Sequence, residues 1–294
     1  MTANSACQHQ HDARINGVTK TDAPVTTHGT IPRALPGICF DLRAKIDAFL
    51  AEKPDDDVLR NVQRQIRVSM DVIHESLRRY GVDDLSLSYN GGKDCLVLLV
   101  LILACLPTCA SASASASASA SSPSHDAPQP STIDSAPRPL QAIYIVSSDP
   151  FSEVEDFVAA SAEQYHLDLK RYALPMRPAL EAYLEDTPAI QAIFLGTRRT
   201  DPHGEFLTHF DPTDEGWPQF MRVHPVIDWH YVEIWAFIRH LQIPFCELYN
   251  RGFTSLGGVT NTRPNPALAL SGDTSKFRPA YELRDDDEER LGRD

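Results

Sequence analysis

SLSYNGGKDC, residues 86–95, joins an alternating, strand-like segment to the continuously apolar run CLVLLVLILACL at 95–106 through two glycines, a lysine and an aspartate. A strand that ends in Asn90-Gly91-Gly92 and passes straight into a helix presents consecutive backbone N–H groups at the positive end of the helix dipole, with no Cβ to keep a phosphate away. The stretch therefore predicts a phosphate cradle, although it fits neither GxxxxGK[ST] nor GxGxxG. A bare GGxD is also compatible with a plain glycine turn. The strand before it, the buried helix after it and Lys93 beside it favour the cradle. The apolar run is far shorter than the roughly 20 residues needed to cross a bilayer, and reads as a helix buried on all sides.

Upstream, DLRAKIDAFLAEK and DDDVLRNVQRQIRVSMDVIHESLRRYG carry apolar residues at helical spacing, the second opening on three aspartates and stopping at Gly81. Downstream, strand-like and helix-like segments alternate: strands at 85–89, 142–146, 167–173 and 190–196, helices at 94–105, 152–166 and 177–186. This alternation predicts an α/β fold, a parallel sheet covered on both faces, with N-terminal helices and a C-terminal segment. Ligands of such sheets bind beyond the carboxyl ends of the strands, so the loops after Tyr89, Val146 and Leu195 are expected to share one crevice. Residues 1–38 are expected to be a disordered tail and 110–139, rich in serine, alanine and proline, a low-complexity insertion within a single domain spanning 39–294. His9 and His11 fall in the tail and are expected to be solvated.

The net charge of −13, from 27 Lys and Arg against 40 Asp and Glu, argues against nucleic acid or an anionic membrane as partner, since both require a basic face. Six cysteines without a CxxC pair read as reduced thiols of a cytoplasmic protein rather than a disulfide or zinc framework. The N-terminal stretch lacks the apolar core of a secretory signal. Nothing in the sequence points to an assembly larger than a monomer.

The glycine loop resembles the SGGxDS pyrophosphate loop of enzymes that cut ATP between its α- and β-phosphates. Asn90 and Cys95 replace the two serines, and in this form it is similar to that of eukaryotic, fungal-type FAD synthases, the FMN adenylyltransferases of the PAPS-reductase-like superfamily. Four later segments resemble that family in the same order. GTRRTDPHGE at 196–205 carries Gly196, Arg198, Asp201 and Pro202; TDEGWPQFMRVHP carries Asp214, Trp217 and Arg222. NRGFTSLGG supplies Gly252, Thr254, Ser255, Gly257 and Gly258, and FRPAYELRDDDEERLGR supplies Arg278, Arg290 and Arg293. Read without the resemblance, these are a solvated loop, a core Trp-Pro segment, a glycine turn and an exposed charge run.

The resemblance implies a three-layer α/β/α sandwich and the reaction of FMN with ATP to give FAD and pyrophosphate, with Mg²⁺ as cofactor and FMN and ATP as small-molecule partners. It implies ATP contacts at Ser88, Tyr89, Asn90, Gly91, Gly92 and Lys93, continuing through Asp94 and Cys95, with Gly196, Ser255 and Gly257 from later loops. Ser147, at a strand end, is a candidate for the adenosine side. Flavin contacts are implied at Arg198, Asp201, Asp214, Trp217, Arg222 and Arg278, and catalytic roles at Asn90, Asp94, Asp201, Arg290 and Arg293. Asp94 is expected either to meet Mg²⁺, directly or through water, or to orient the loop. Because FMN brings an already ionised phosphate as nucleophile, no catalytic base is required, and catalysis is expected to be positioning and charge neutralisation. Two alternatives stay open: a PAPS-reductase-like or other adenylyl-transferring relative, although no cysteine follows Cys246, and a flavin- or nucleotide-binding regulator without turnover.

Overall fold

The structure is a computed structural model that describes residues 33–106, 138–270 and 273–294. The serine-alanine insertion, apart from Arg138 and Pro139, lies outside the described residues, as do His9 and His11. Helix α1 spans Leu35–Ala51, so four residues assigned to the tail are helical. Pro36 suits a first turn, where its missing N–H is not needed, and Leu35 and Cys39 extend the buried stripe through Leu42, Ile46 and Phe49. Helix α2, Asp57–Tyr80, is capped by Asp56, whose carboxylate accepts the Val58 N–H at 2.7 Å, and ends at Gly81 with φ +76°.

Strands β1 (Leu85–Ser88), β2 (Gln141–Ile145), β3 (Asp168–Tyr172) and β4 (Ala192–Phe194) pair in parallel. A hairpin not expected from the sequence, β5 (Phe210–Pro212) and β6 (Met221–Val223), extends the sheet, β6 parallel to β4 and β5 antiparallel at the edge. The order is β3-β2-β1-β4-β6-β5. Helix α3 (Lys93–Cys105) is buried along its whole length apart from Asp94, because α1, α2 and α6 (Tyr231–His240) close around it. With α4 (Ser152–Gln164) they cover the sheet face that carries Leu85, Leu87, Ala142 and Phe194. On the opposite face α5 (Met176–Asp186) packs on Ile143, Ile193 and Phe220. The result is the expected three-layer sandwich. Among the described residues no helix is long and apolar enough to cross a membrane.

The chain runs outward from β1 to β2 and β3, then returns to place β4 on the other side of β1. The direction of winding reverses at β1, so the loops leaving β1 and β4 diverge there and open a crevice. Gly196, just beyond β4, closes one side: a Cβ there would lie 2.8 Å from the backbone nitrogen of Cys95, so only glycine lets this loop rest on the first turn of α3. A short hairpin, β7 (Ala269–Leu270) with β8 (Asp273–Phe277), and five 3₁₀ turns form the C-terminal segment.

Candidate active site

The glycine loop is anchored from below. Tyr89 is buried, donating its hydroxyl to Ser161 Oγ at 2.8 Å and its N–H to Ile143 O at 2.9 Å. Its side chain faces the core and α4, which corrects its assignment to ATP. Gly91 takes φ +72°, and a Cβ there would lie 2.8 Å from Val158 Cγ2, so the turn requires glycine although it does not border the cleft. Two donors of the expected cradle already have acceptors. The Gly92 N–H donates to Asn90 Oδ1 at 3.0 Å, and the Lys93 N–H to the Tyr249 hydroxyl at 2.8 Å. The Cys95 thiol also lies 2.9 Å from Asn90 Oδ1, and burial pushes its pKa up to about 12, so it stays a thiol. Displacing the Asn90 carboxamide would free the Gly92 N–H for a phosphate, while the Lys93 N–H stays on the Tyr249 hydroxyl.

Behind the loop lies a buried ion cluster. Lys93, only 2% exposed, pairs through Nζ with Asp94 Oδ2 at 2.8 Å and with Glu289. Arg198, fully buried, places Nε 2.9 Å from Asp94 Oδ1, bonds Glu289 through Nη2 and reaches Asp286 at 3.4 Å. Burial pushes the Asp94 carboxyl up, but Arg198 and then Lys93 outweigh it and hold the group below its usual range. Arg198 is likewise held above the ordinary arginine value by Asp94 and Glu289, against the cost of burial. Full burial in this cluster corrects the assignment of Arg198 to the flavin. Lys93, expected on ATP phosphates, has its ammonium between two carboxylates. For Asp94, both of whose oxygens face cations, the geometry favours the loop-orienting role over direct metal ligation.

The crevice is a cleft of about 710 Å³, with Ser88, Asn90, Gly92 and Cys95 on one wall beside Gly196 and Asp201. Asp201 accepts the Arg198 backbone N–H at 2.8 Å. The cleft is also lined by the apolar Ile145, Leu180, Ile193 and Phe220 and by Trp217, which is 38% exposed. The β5–β6 hairpin carries Asp214 and Arg222 to the cleft; they lie 3.4 Å apart, and Arg222 Nη2 also donates to Pro212 O at 2.9 Å. Arg222 Nε is buried without a partner.

Three further assigned residues, Arg278, Ser147 and Gly257, stand off the cleft. Arg278 donates to Ala267 O at 3.0 Å, lies 3.7 Å from Glu282 and does not line the cleft, so it braces the C-terminal segment rather than meeting flavin. Ser147 lies 3.2 Å from Asp149, which receives the Thr260 N–H at 2.7 Å and so ties the β2 loop to the last glycine turn. Gly257 packs against the Arg293 guanidinium, whose Nη1 donates to Leu256 O at 2.7 Å and Ser255 Oγ at 3.3 Å. Ser255 lines the cleft; Ser147 and Gly257 do not.

Arg290 and Arg293 both line the cleft. Neither has a carboxylate partner among the described residues, and Arg293 Nε is buried without one. Burial first, then the charge of Arg290, lowers the pKa of Arg293 below the usual arginine value. Two adjacent cations without counter-charge form an anion site.

The acids of the DDDEER run, read from the sequence as a solvated helix face, are in part buried: Glu289 and Asp286 enter the ion cluster, on a 3₁₀ turn. Tyr249, which holds α3's N-terminus, was also missed. So was His203, a cleft residue with φ +66°. Glu289 stands within the FRPAYELRDDDEERLGR segment that carries the resemblance, next to a selected arginine, but its charge run reads as solvated in the sequence. Among the described residues, no group of three or more His, Cys, Asp or Glu could hold a metal ion.

A family model, the phosphoadenosine phosphosulfate reductase domain, matches residues 173–264. The chain is 37% identical over 245 residues to a probable FAD synthase of Schizosaccharomyces pombe, covering 83% of this chain and 84% of that protein. It is 32% identical to a probable FAD synthase of Caenorhabditis elegans, covering 86% of this chain but spanning only 45% of that longer protein. A crystal structure of Candida glabrata FMN adenylyltransferase in complex with FMN and the ATP analogue AMPCPP superposes with a TM-score of 0.75 at 28% identity, covering 88% of this chain and 99% of that one. By its sequence over most of its length, and by a sheet that opens at the glycine loop, this chain belongs to the FAD synthase family of FMN adenylyltransferases.

Proposed function

We infer that the protein transfers the AMP moiety of ATP to FMN, giving FAD and pyrophosphate. The observation that carries this reading is the pair Arg290 and Arg293, cations without a carboxylate partner among the described residues, in a cleft that is also lined by Ile145, Leu180, Ile193, Phe220 and Trp217. The cations suit a polyphosphate, and the apolar and aromatic lining suits a flat heteroaromatic ring.

An oxygen of the FMN phosphate attacks the α-phosphorus of ATP. The bond from that phosphorus to the oxygen bridging the β-phosphate breaks, and pyrophosphate leaves with the electron pair. The nucleophile is ionised at neutral pH and needs no base, and the cleft cysteine, its pKa pushed up to about 12 by burial, stays a thiol and is no rival nucleophile. Arg290 and Arg293 neutralise charge on the α-phosphate and leaving group. The Gly92 N–H becomes available to phosphate when the Asn90 side chain yields. Asp94 holds the loop rigid through Lys93 and Arg198.

Mg²⁺ would add charge neutralisation on the triphosphate. Asp94 faces Lys93 and Arg198, whereas Asp201 bonds one N–H and has its second oxygen 4.0 Å from the Arg198 guanidinium, so it is a cleft carboxylate that would meet the ion together with phosphates and water. The four described cysteines are free and buried, which supports residence in the reducing cytoplasm.

FMN, ATP and Mg²⁺ mixed with the protein should give a steady fall in flavin fluorescence matched by pyrophosphate release, since FAD is far less fluorescent than FMN. Binding of both nucleotides without either signal would leave the regulator reading instead. Among the residues assigned to the flavin, Arg222→Ala should raise the KM for FMN about tenfold or more, the worth of one charge-assisted hydrogen bond, with saturated turnover within about threefold. Asp214→Ala should act in the same direction but less, because its side chain is 74% exposed. An unchanged KM in Arg222→Ala would remove that residue from the flavin site.

A further inference from the structure

The turn bearing Arg290 and Arg293 reaches the cleft from far along the sequence, and something must set its distance from the glycine loop. Its backbone is held by buried neighbours. Thr254 donates its hydroxyl to Glu289 O at 2.6 Å, and the Asn265 carboxamide donates to Glu288 O at 2.7 Å. The Arg293 N–H closes onto Arg290 O at 2.9 Å. These bonds shape the turn without using the Glu289 side chain. That carboxylate instead projects into the ion cluster, one oxygen on Lys93 and the other on Arg198, the first residue pinned to the start of α3 and the second to the loop after β4.

We propose that Glu289 is a positioning residue for adenylyl transfer: its buried carboxylate ties the arginine-bearing turn to the floor of the phosphate loop, and by occupying Lys93 and Arg198 leaves Arg290 and Arg293 as the cations that meet the polyphosphate. The charge balance favours this division. Around Lys93 and Arg198 stand Asp94, Glu289 and Asp286, so the floor carries no surplus positive charge, whereas Arg290 and Arg293 have no carboxylate between them among the described residues. A purely structural salt bridge elsewhere in the fold would not join the phosphate loop to the residue adjoining its cation. This assignment rests on the FAD synthase reading above.

A double-mutant cycle tests it, with Glu289→Gln, Arg290→Ala and the double variant compared by steady-state kinetics and melting. The wild type is assayed first: no FAD from the wild type sinks the reaction, whereas FAD from the wild type leaves only Glu289 at issue. If Glu289 acts through Arg290, Glu289→Gln alone lowers kcat by about 30- to 100-fold, yet costs less than about threefold more once Arg290 is alanine, the non-additivity of coupled neighbours. The KM for FMN stays within about twofold, since the Glu289 carboxylate is buried with its two oxygens on Lys93 and Arg198, and Glu289→Asp, which keeps the charge, recovers part of the lost kcat. Additive losses in the cycle, or a loss confined to melting temperature, would overturn the proposal. Should Glu289→Gln fail to fold, the same cycle is run on Glu289→Asp; failure of both to fold makes the residue structural and overturns it too.

Discussion

Arg290→Ala should lower kcat for FAD formation about a hundred- to a thousand-fold, the scale on which one preorganised charge contact to a reacting group is lost. Its melting temperature should stay close to that of the wild type. The separation follows from the site. Arg290 is exposed and has no hydrogen bond or ion pair from its side chain among the described residues, so removing it unsettles nothing in the resting protein. Arg290→Lys keeps the charge but loses the planar fork that spans two phosphate oxygens, and should fall between. Normal turnover in Arg290→Ala would take this residue out of the reaction, and with it the anion site on which the functional reading stands.

Asp94→Ala should be damaged in both respects. The carboxylate sits between two buried cations, Lys93 at 2.8 Å and Arg198 at 2.9 Å. Removing one partner of a buried ion pair costs about 3–5 kcal/mol, because the charge left behind has neither water nor counter-ion. Glu289 still pairs both cations here, so the lower end applies, about 3 kcal/mol, or roughly 6–12 °C in melting temperature for a domain of this size. Turnover should fall with it, as the loop that presents Asn90 and Gly92 loses its anchor. Since the Asp94 carboxyl is held below its ordinary pKa, its stabilisation is present above the usual carboxylate range and lost as the pH drops through the lowered folded value. A variant that melts and turns over like the wild type would refute the account of the cluster.

The two variants divide a row of charged residues into those that act on substrate and those that hold the site. That division was not visible in the sequence. Arg198 and Arg222 look alike as motif arginines, yet one is sealed among carboxylates and the other lines the cleft. Lys93 follows the glycines as a phosphate lysine would, and its ammonium instead lies between Asp94 and Glu289. Tyr89 was placed on ATP because it adjoins the loop. Strand alternation turns its ring to the side opposite Ser88, into the core.

The sequence by itself determined the alternation of strands and helices, the burial of α3 and a crevice at the carboxyl ends of β1 and β4, because these follow from local periodicity and from chain handedness, which neighbouring residues carry. It also marked Asn90, Asp201, Trp217 and Arg290 as cleft residues through contiguous motifs. Only the tertiary structure decided which charges are spent on one another. Lys93 and Glu289 are 196 positions apart, and Arg198 and Glu289 are 91 apart. A formal charge in a sequence is silent about whether water or a counter-ion surrounds it, and that choice, set by packing between distant segments, separates a residue that binds substrate from one that holds the binder in place.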